Sequence, residues 1–232
     1  MTSADPNEIT ADFKGRAAIF PLPNVTLFPN VMLPLHIFEP RYRCMAEDTL
    51  KGDGYLAMGL LKGGWEASYE TKDCEIHETV CLGKVIANDQ LEDGRHYLML
   101  QGLRRARLVT ELETDLPYRL GMLEVVEDVY PQTPMIDRER RQEELVEWFG
   151  KVYPKLGFQA EVVHALGSGM QLGELCDVLA HSLKLPPEDA QRLLAQADVD
   201  QRSDLVLEML KNQFRGTLEP VGRDFPPGFS LN

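Results

Sequence analysis

The sequence predicts an α+β chain, in which an antiparallel β-barrel with one short helix precedes a small helical bundle. Three observations carry that prediction. Up to about residue 128, apolar residues come in short runs of period-2 character broken by turn signals, the pattern of half-buried strands. Beyond about residue 135 the apolar period lengthens to that of amphipathic helices. Between them VYPQTP (129–134) carries two prolines and reads as a linker.

The strand candidates are RAAIF (16–20), VMLPLHIF (31–38), GYLAMGLL (54–61), CEIHETVCLGKVIA (74–87), HYLMLQG (96–102), RRARLVTEL (104–112) and YRLGMLEVVE (118–127). Asp93-Gly94 reads as a hairpin turn before Tyr97. Even spacing without long helices between the runs predicts an antiparallel sheet closed into a barrel. Pro40 suits a first helical position, and Arg41 to Leu50 continues it with good helix formers. In the second half the helical segments are 136–153, 159–166, 172–183, 187–196 and 200–214. Leu172, Leu175, Cys176, Leu179 and Leu183 share one face, and Asp198 with Gln201 forms a capping-box pattern. Residues 1–15 and 215–232 read as loose ends around units at 16–128 and 135–214.

From Ala17 to Phe38 no Asp, Glu, Lys or Arg occurs, as in a membrane span. Pro21, Pro23, Pro29 and Pro34 exclude that reading, because each removes a donor and hydrocarbon offers no substitute partner. The prolines instead edge strands: Pro21 and Pro23 close the first, Pro29 turns the chain, Pro34 takes an edge or bulge, and Pro40 opens a helix. Leu22, Val25, Leu35 and Ile37 are expected in the core. Leu27, Phe28, Met32 and Leu33, placed around a turn, are candidates for an exposed patch.

The 232 residues carry a net charge of −13, which disfavours nucleic acid and anionic membranes, both of which are held by Lys and Arg. The four cysteines form no C-x-x-C pair, and the acidic first residues MTSADPNEITADF have no apolar signal region. A reduced, cytoplasmic protein is expected.

Catalytic patterns are missing. Gly83-Lys84 and Gly150-Lys151 lack the preceding glycine and following Ser/Thr of a phosphate-binding loop. None of the six serines lies in G-x-S-x-G or S-x-x-K, and Ser168 reads as part of an interhelical loop. Cys74, His77 and Cys81 have no fourth zinc ligand nearby, and Cys44 has no activating context for pairing with His36 or His96. No metal and no cofactor are expected. The basic run at Arg104, Arg105 and Arg107 has two readings: an anchor for acidic peptides or phosphate, or salt bridges to neighbouring carboxylates, the latter preferred in so acidic a chain.

Two segments resemble a known family. PLPNVTLFPNVMLPLHIFEPRYR, followed by LEDGRHYLMLQGLRRARL with Asp93, Gly94, Arg95, Gly102 and Arg105 in place, is similar to the N-terminal substrate-binding domain of the Lon protease family. LCDVLAHSLKLPPEDAQRLLAQADVDQRSDLVLEML resembles that domain's helical part, with Cys176 where alanine is usual and Ala190 where lysine is frequent. The resemblance spans roughly 16–213 and implies a PUA-like barrel that binds protein substrates. This chain ends at 232 without a P-loop, so the resemblance implies a stand-alone, non-catalytic domain rather than a protease. It implies unfolded or hydrophobic polypeptide segments as partners, with a protease or chaperone and self-association as further candidates. The binding candidates are Leu27, Phe28, Met32, Leu33, Arg105 and Arg107. The alternatives are an enzyme using a barrel pocket or a nucleic-acid-binding PUA-like module.

Overall fold

The computed structural model describes residues 12–154, 169–183 and 185–218. The expected helix at 159–166, Ser168 and the two chain ends lie outside the described residues, except for positions 12–15 and 215–218 at their inner edges. The described chain forms a mixed six-stranded sheet and five α-helices.

β1 (Arg16–Leu22) is charge-free after its first residue because both of its faces are buried. Ala17 and Ile19 enter one apolar cluster, Ala18 and Phe20 another. Pro21 lies inside this strand and Pro23 just beyond it. β2 (Met32–Ile37) alternates instead, with Leu35 and Ile37 buried and Met32, Pro34 and His36 exposed. Pro40 takes the first position of α1 (Pro40–Lys51), where its missing N–H costs nothing. β3 (Tyr55–Leu60) follows, then a short 3₁₀ turn at Trp65–Ala67.

β4 (Thr79–Gln90) and β5 (His96–Glu111) make a long hairpin around Gly94, whose φ of 81° suits glycine. β4 begins five residues later than expected, so Cys74 stands in an irregular segment and only Cys81 is on a strand. The two runs on either side of Gly102 are one strand, β5, bent by an extra residue at Leu103 opposite the Leu82/Gly83 step. β6 (Arg119–Val126) completes the sheet.

The strand order is β2-β5-β4-β3-β1-β6, with β5 also pairing β6. The expectation of a wholly antiparallel sheet is corrected here, since β1 runs parallel to β3, with Ala18 opposite Leu56. α1 and the connection after it supply the crossover that a parallel pair needs. Ile19, Tyr55, Ala57, Val80, Leu82, Leu103, Ala106 and Leu123 pack together between the five strands β1, β3, β4, β5 and β6.

The helices are α2 (Arg138–Val152), α3 (Leu172–Ser182), α4 (Pro187–Ala195) and α5 (Val199–Leu218). Asp137 caps α2 by accepting from the Arg140 N–H, and Asp198 accepts from Gln201 N at 3.1 Å to cap α5. Gln171 and Glu174 form a reciprocal capping box on α3. Leu145, Phe149, Leu175, Cys176, Leu179, Leu193 and Leu210 join the cluster that holds Phe20, Met58, Leu98 and Leu100, so one apolar layer connects helices and sheet. The 129–134 segment is tethered rather than free, for Val129 N–H donates to Ala197 O and Val199 N–H to Val129 O. No described helix is long and apolar enough to cross a membrane.

Leu27 to Val31 lies across β5 at Gly102. The Asn30 N–H donates to Gly102 O at 2.9 Å and the Gly102 N–H to Val31 O at 2.8 Å. A Cβ at position 102 would overlap the Phe28 carbonyl, so only glycine admits the crossing. Asn30 makes the turn with a φ of 62°, a conformation asparagine tolerates well.

Gly102→Ala is expected to lower stability by about 3 kcal/mol or more in chemical denaturation, the upper range of overpacking. Gly150→Ala, on α2 with open space around it, is expected to raise stability by about 0.5–1 kcal/mol through helix propensity.

Candidate functional site

Two features stand out as sites: an open apolar face on β2, β5 and β4, and a polar cleft between the sheet and α3. The open face follows from register. Met32, Pro34 and His36 stand opposite Gln101, Met99 and Tyr97 on β5. Those three stand in turn opposite Lys84, Ala87 and Asp89 on β4. Leu35, Ile37, Leu98 and Leu100 point the other way into the core. The bulge between Val85 and Ala87 leaves Ile86 as an extra residue and turns Ala87 outward.

Met32 is 60%, Phe38 58% and Tyr97 48% exposed, large apolar side chains on the outward face of adjacent strands rather than scattered singly. His36 stacks on Tyr97 with ring centroids 4.6 Å apart and lies 5.7 Å from Phe38. β2 pairs with β5 alone among the named strands, so its second edge is unpaired. Pro34 removes one donor from that strand, which blunts pairing with further copies of itself.

The polar cleft, about 270 Å³, lies between β5 and the start of α3. Its floor is a network of four charged groups. The Arg105 guanidinium donates to both oxygens of Asp177, to Asp128 at 3.2 Å and to the Leu194 carbonyl at 2.9 Å. Arg202 donates to both oxygens of Asp128 and to Gln196 O at 2.8 Å, and its Nε lies 3.6 Å from Asp177. Arg105, Asp177 and Arg202 are each no more than 2% exposed.

Burial pushes the Asp177 carboxyl up, and the guanidiniums of Arg105 and Arg202 oppose it. For Arg202, burial acts downward, but Asp177 and Asp128 outweigh it and hold the guanidinium above its ordinary range. The geometry sets two guanidiniums against two carboxyl groups. Among the described residues no Ser, Thr, Cys, Lys or His lines the cleft, and the carboxylates of Asp177 and Asp128 are taken up by arginines. The arrangement holds elements together and offers no nucleophile–base pair.

Gly173 allows the network to close. A Cβ there would come within 2.5 Å of Asp128 Oδ2, 2.7 Å of Arg202 Nη2 and 2.8 Å of the Tyr130 hydroxyl. The Gly173 N–H donates to that hydroxyl at 3.2 Å.

The residues expected at a binding surface separate. Leu27 and Phe28 are fully buried beneath the Gly102 crossing, so they present no surface, contrary to the expectation of a patch around the turn. Met32 stands in solvent and Leu33 is half-buried against the core. Arg105 is sealed in the network, Arg107 is exposed and paired with Glu124, and Arg104 lies 3.7 Å from Glu127. Leu35 and Ile37 are in the core, with Leu22 and Val25 packed at its margin. Cys74 and Cys81 belong to different apolar clusters, and no group of three potential metal ligands occurs among the described residues.

Sequence reasoning did not single out Phe38, Tyr97 and Met99, because HYLMLQG is apolar on both faces and says nothing of which face is covered. It also passed over Asp128, Asp177 and Arg202. The available signal was Asp177 one turn after Gly173, on a helix whose other faces are almost wholly apolar.

Asp177→Ala is expected to cost about 3–5 kcal/mol in urea or guanidinium denaturation, since it strands buried guanidinium charge. Arg105→Met with Asp177→Leu is expected to recover a large part of that loss, because Arg202 keeps Asp128. Gly173→Ala is expected to cost about 1–3 kcal/mol by forcing the network apart.

The sequence model of the ATP-dependent protease La (LON) substrate-binding domain matches residues 16–212. The Lon protease of Dictyoglomus thermophilum is 26% identical over 205 residues, 88% of this chain and 25% of that protein. The Lon protease of Paraburkholderia phytofirmans is 28% identical over 197 residues, 82% of this chain and 23% of that protein. The chain thus spans about a quarter of the length of these relatives. Among solved structures, a Lon N-terminal domain protein from Xanthomonas campestris matches with a TM-score of 0.61 at 20% identity, over 83% of this chain and 97% of that one. The N-terminal domain of Mycobacterium avium complex Lon protease matches with a TM-score of 0.62 at 12% identity, over 85% and 98% respectively. At such identities the structures establish a shared fold. With the domain matched across nearly all of the described residues, this chain belongs to the Lon protease substrate-binding domain family.

Proposed function

We propose that this chain is a non-catalytic module that binds exposed hydrophobic segments of unfolded polypeptides, and that it serves as an adaptor in cytoplasmic protein quality control. The observation that carries the reading is the open face of β2 and β5, where Met32, Phe38 and Tyr97 stand in solvent together. Family membership supports a polypeptide as the ligand. In this reading the strands of 16–128 form a PUA-like barrel and the helices of 135–214 a small bundle packed on it, with the network at Arg105 joining the two. Met32 remains a binding candidate and Phe38, Tyr97 and Met99 join it, whereas Leu33, opposite the buried Leu100, belongs to the covered face. Leu27, Phe28 and Arg105 act from beneath, by fixing the strands that present the face, and Arg107 lies on the outer rim.

An apolar strand face suits this task physically. Burying side chains of this size is worth roughly 1.5–3 kcal/mol each, without demanding any particular partner sequence. The half-open edge of β2 adds carbonyl and N–H groups that an extended segment can meet.

In a pull-down or anisotropy titration, the protein is expected to bind a denatured test protein at least several-fold better than the same protein in its native form. Met32→Thr with Tyr97→Thr, which keeps strand propensity while removing the apolar surface, is expected to abolish most of that difference. Equal binding of native and denatured forms, or no effect of the double substitution, would sink the proposal.

A further inference from the structure

We propose that an extended polypeptide segment adds to the free edge of β2 as an antiparallel strand, with the side chains of its β2-bonded residues continuing the open face. This rests on the polypeptide-binding reading above and names the class of segment: extended, apolar at every second residue, and without proline at those apolar positions. The direction of each backbone group on β2 follows from its pairing. The Gly102 N–H donates to Val31 O at 2.8 Å, and the register runs on unbroken from Met32 opposite Gln101 to Ile37 opposite His96. Bonded pairs alternate along an antiparallel ladder, so Leu33, Leu35 and Ile37 turn their N–H and C=O groups to β5. Met32, Pro34 and His36 turn theirs to the free edge. There the Met32 and His36 N–H groups and the Met32, Pro34 and His36 carbonyls have no hydrogen-bond partner among the described residues.

An extended backbone presents N–H and C=O groups to one side at every second residue, so it meets this row. A helix, whose backbone groups bond one another, does not. Directly opposed residues of antiparallel strands share a face. Residues of the added strand that bond Met32 and His36 therefore carry their side chains on the open face, with Tyr97 one strand further in. Met32 and Tyr97 stand in solvent there, so apolar side chains at those positions gain most from burial. Pro34 decides between occupants. It lies in the middle of the row, exposed and without an N–H, so an added strand loses a bond at that point. A second copy of the same edge brings its own proline, and the loss then falls on both strands. The edge therefore favours a foreign segment over another copy of itself.

The test uses a labelled peptide of alternating Val and Thr with Gly-Ser flanks, titrated by anisotropy beside two N-methylated forms. One form is methylated at its Val residues and the other, equally often, at its Thr residues. In the bound strand only the Val N–H groups face β2. Methylation of the Val residues is expected to weaken binding to the wild type about tenfold or more, the worth of a few hydrogen bonds. Methylation of the Thr residues is expected to leave most of the affinity in place. Pro34→Thr, which restores an N–H to the row, is expected to bind the parent peptide several-fold tighter. It is also expected to self-associate in sedimentation at concentrations where the wild type stays monomeric. Equal effects of the two methylations overturn strand addition, and the reverse order overturns its antiparallel direction; either result leaves the apolar reading standing. A Pro34→Thr protein with the mass and affinity of the wild type overturns the part given to Pro34. Failure of every peptide to bind, or binding indifferent to Met32→Thr/Tyr97→Thr, overturns the apolar reading and this proposal together.

Discussion

Arg105 and Asp177 form the contact on which the rest of the arrangement depends. One belongs to the longest strand, which pairs with three others, and the other to a helix buried on most of its surface. Both are almost wholly removed from water, so each depends on protein groups to meet its charge. A buried ion pair adds little net stability over well-packed apolar groups, yet losing one member is severe. Its value lies in direction. An apolar layer tolerates sliding of helix over sheet, whereas a two-oxygen, two-nitrogen contact admits one placement. Asp128 and Arg202 extend that placement to the segment after β6 and to α5, so four parts of the chain share one charge balance.

With the helices held on one side of the sheet, the burial pattern acquires a simple logic. β1 and β3 are covered on both faces and carry no charge along their shared length. β2 and the first half of β5 are covered on one face, by α1 and the apolar layer beneath. No described element covers the other face, which mixes the large apolar side chains of Met32, Phe38, Tyr97 and Met99 with the polar His36 and Gln101. An ordinary half-buried strand would place Thr, Lys or Glu at those positions. The apolar share of the uncovered face is a departure from that pattern.

Much of this was legible from residues alone, and the reasons for the exceptions are specific. Alternation and helical period located six strands and four of the helices within a few residues, and Pro40 and Asp198 marked helix starts because their chemistry is local. The parallel pairing of β1 with β3 was not legible, since pairing direction depends on where an intervening helix leaves the chain. β5 read as two runs because glycine at 102 looks like punctuation; it is there to let Phe28 pass, a contact across more than seventy residues. The charge network escaped notice because opposite charges far apart in sequence carry no shared signal. For the open face, Met32 was anticipated and Tyr97 was not. Whether a two-sided apolar strand is covered depends on a second layer that local pattern does not describe.

The position of β1 in the sheet also bears on how the chain is made. Its neighbours are β3 and β6, and β6 begins only at Arg119. During synthesis the charge-free run from Ala17 to Phe38 emerges before its partner strands and stays without one of them until β6 has followed. β2 waits similarly for β5, the strand that starts at His96. The nascent protein therefore passes through an interval in which this apolar segment is uncovered, and incomplete chains are then at their most prone to capture by chaperones or by one another.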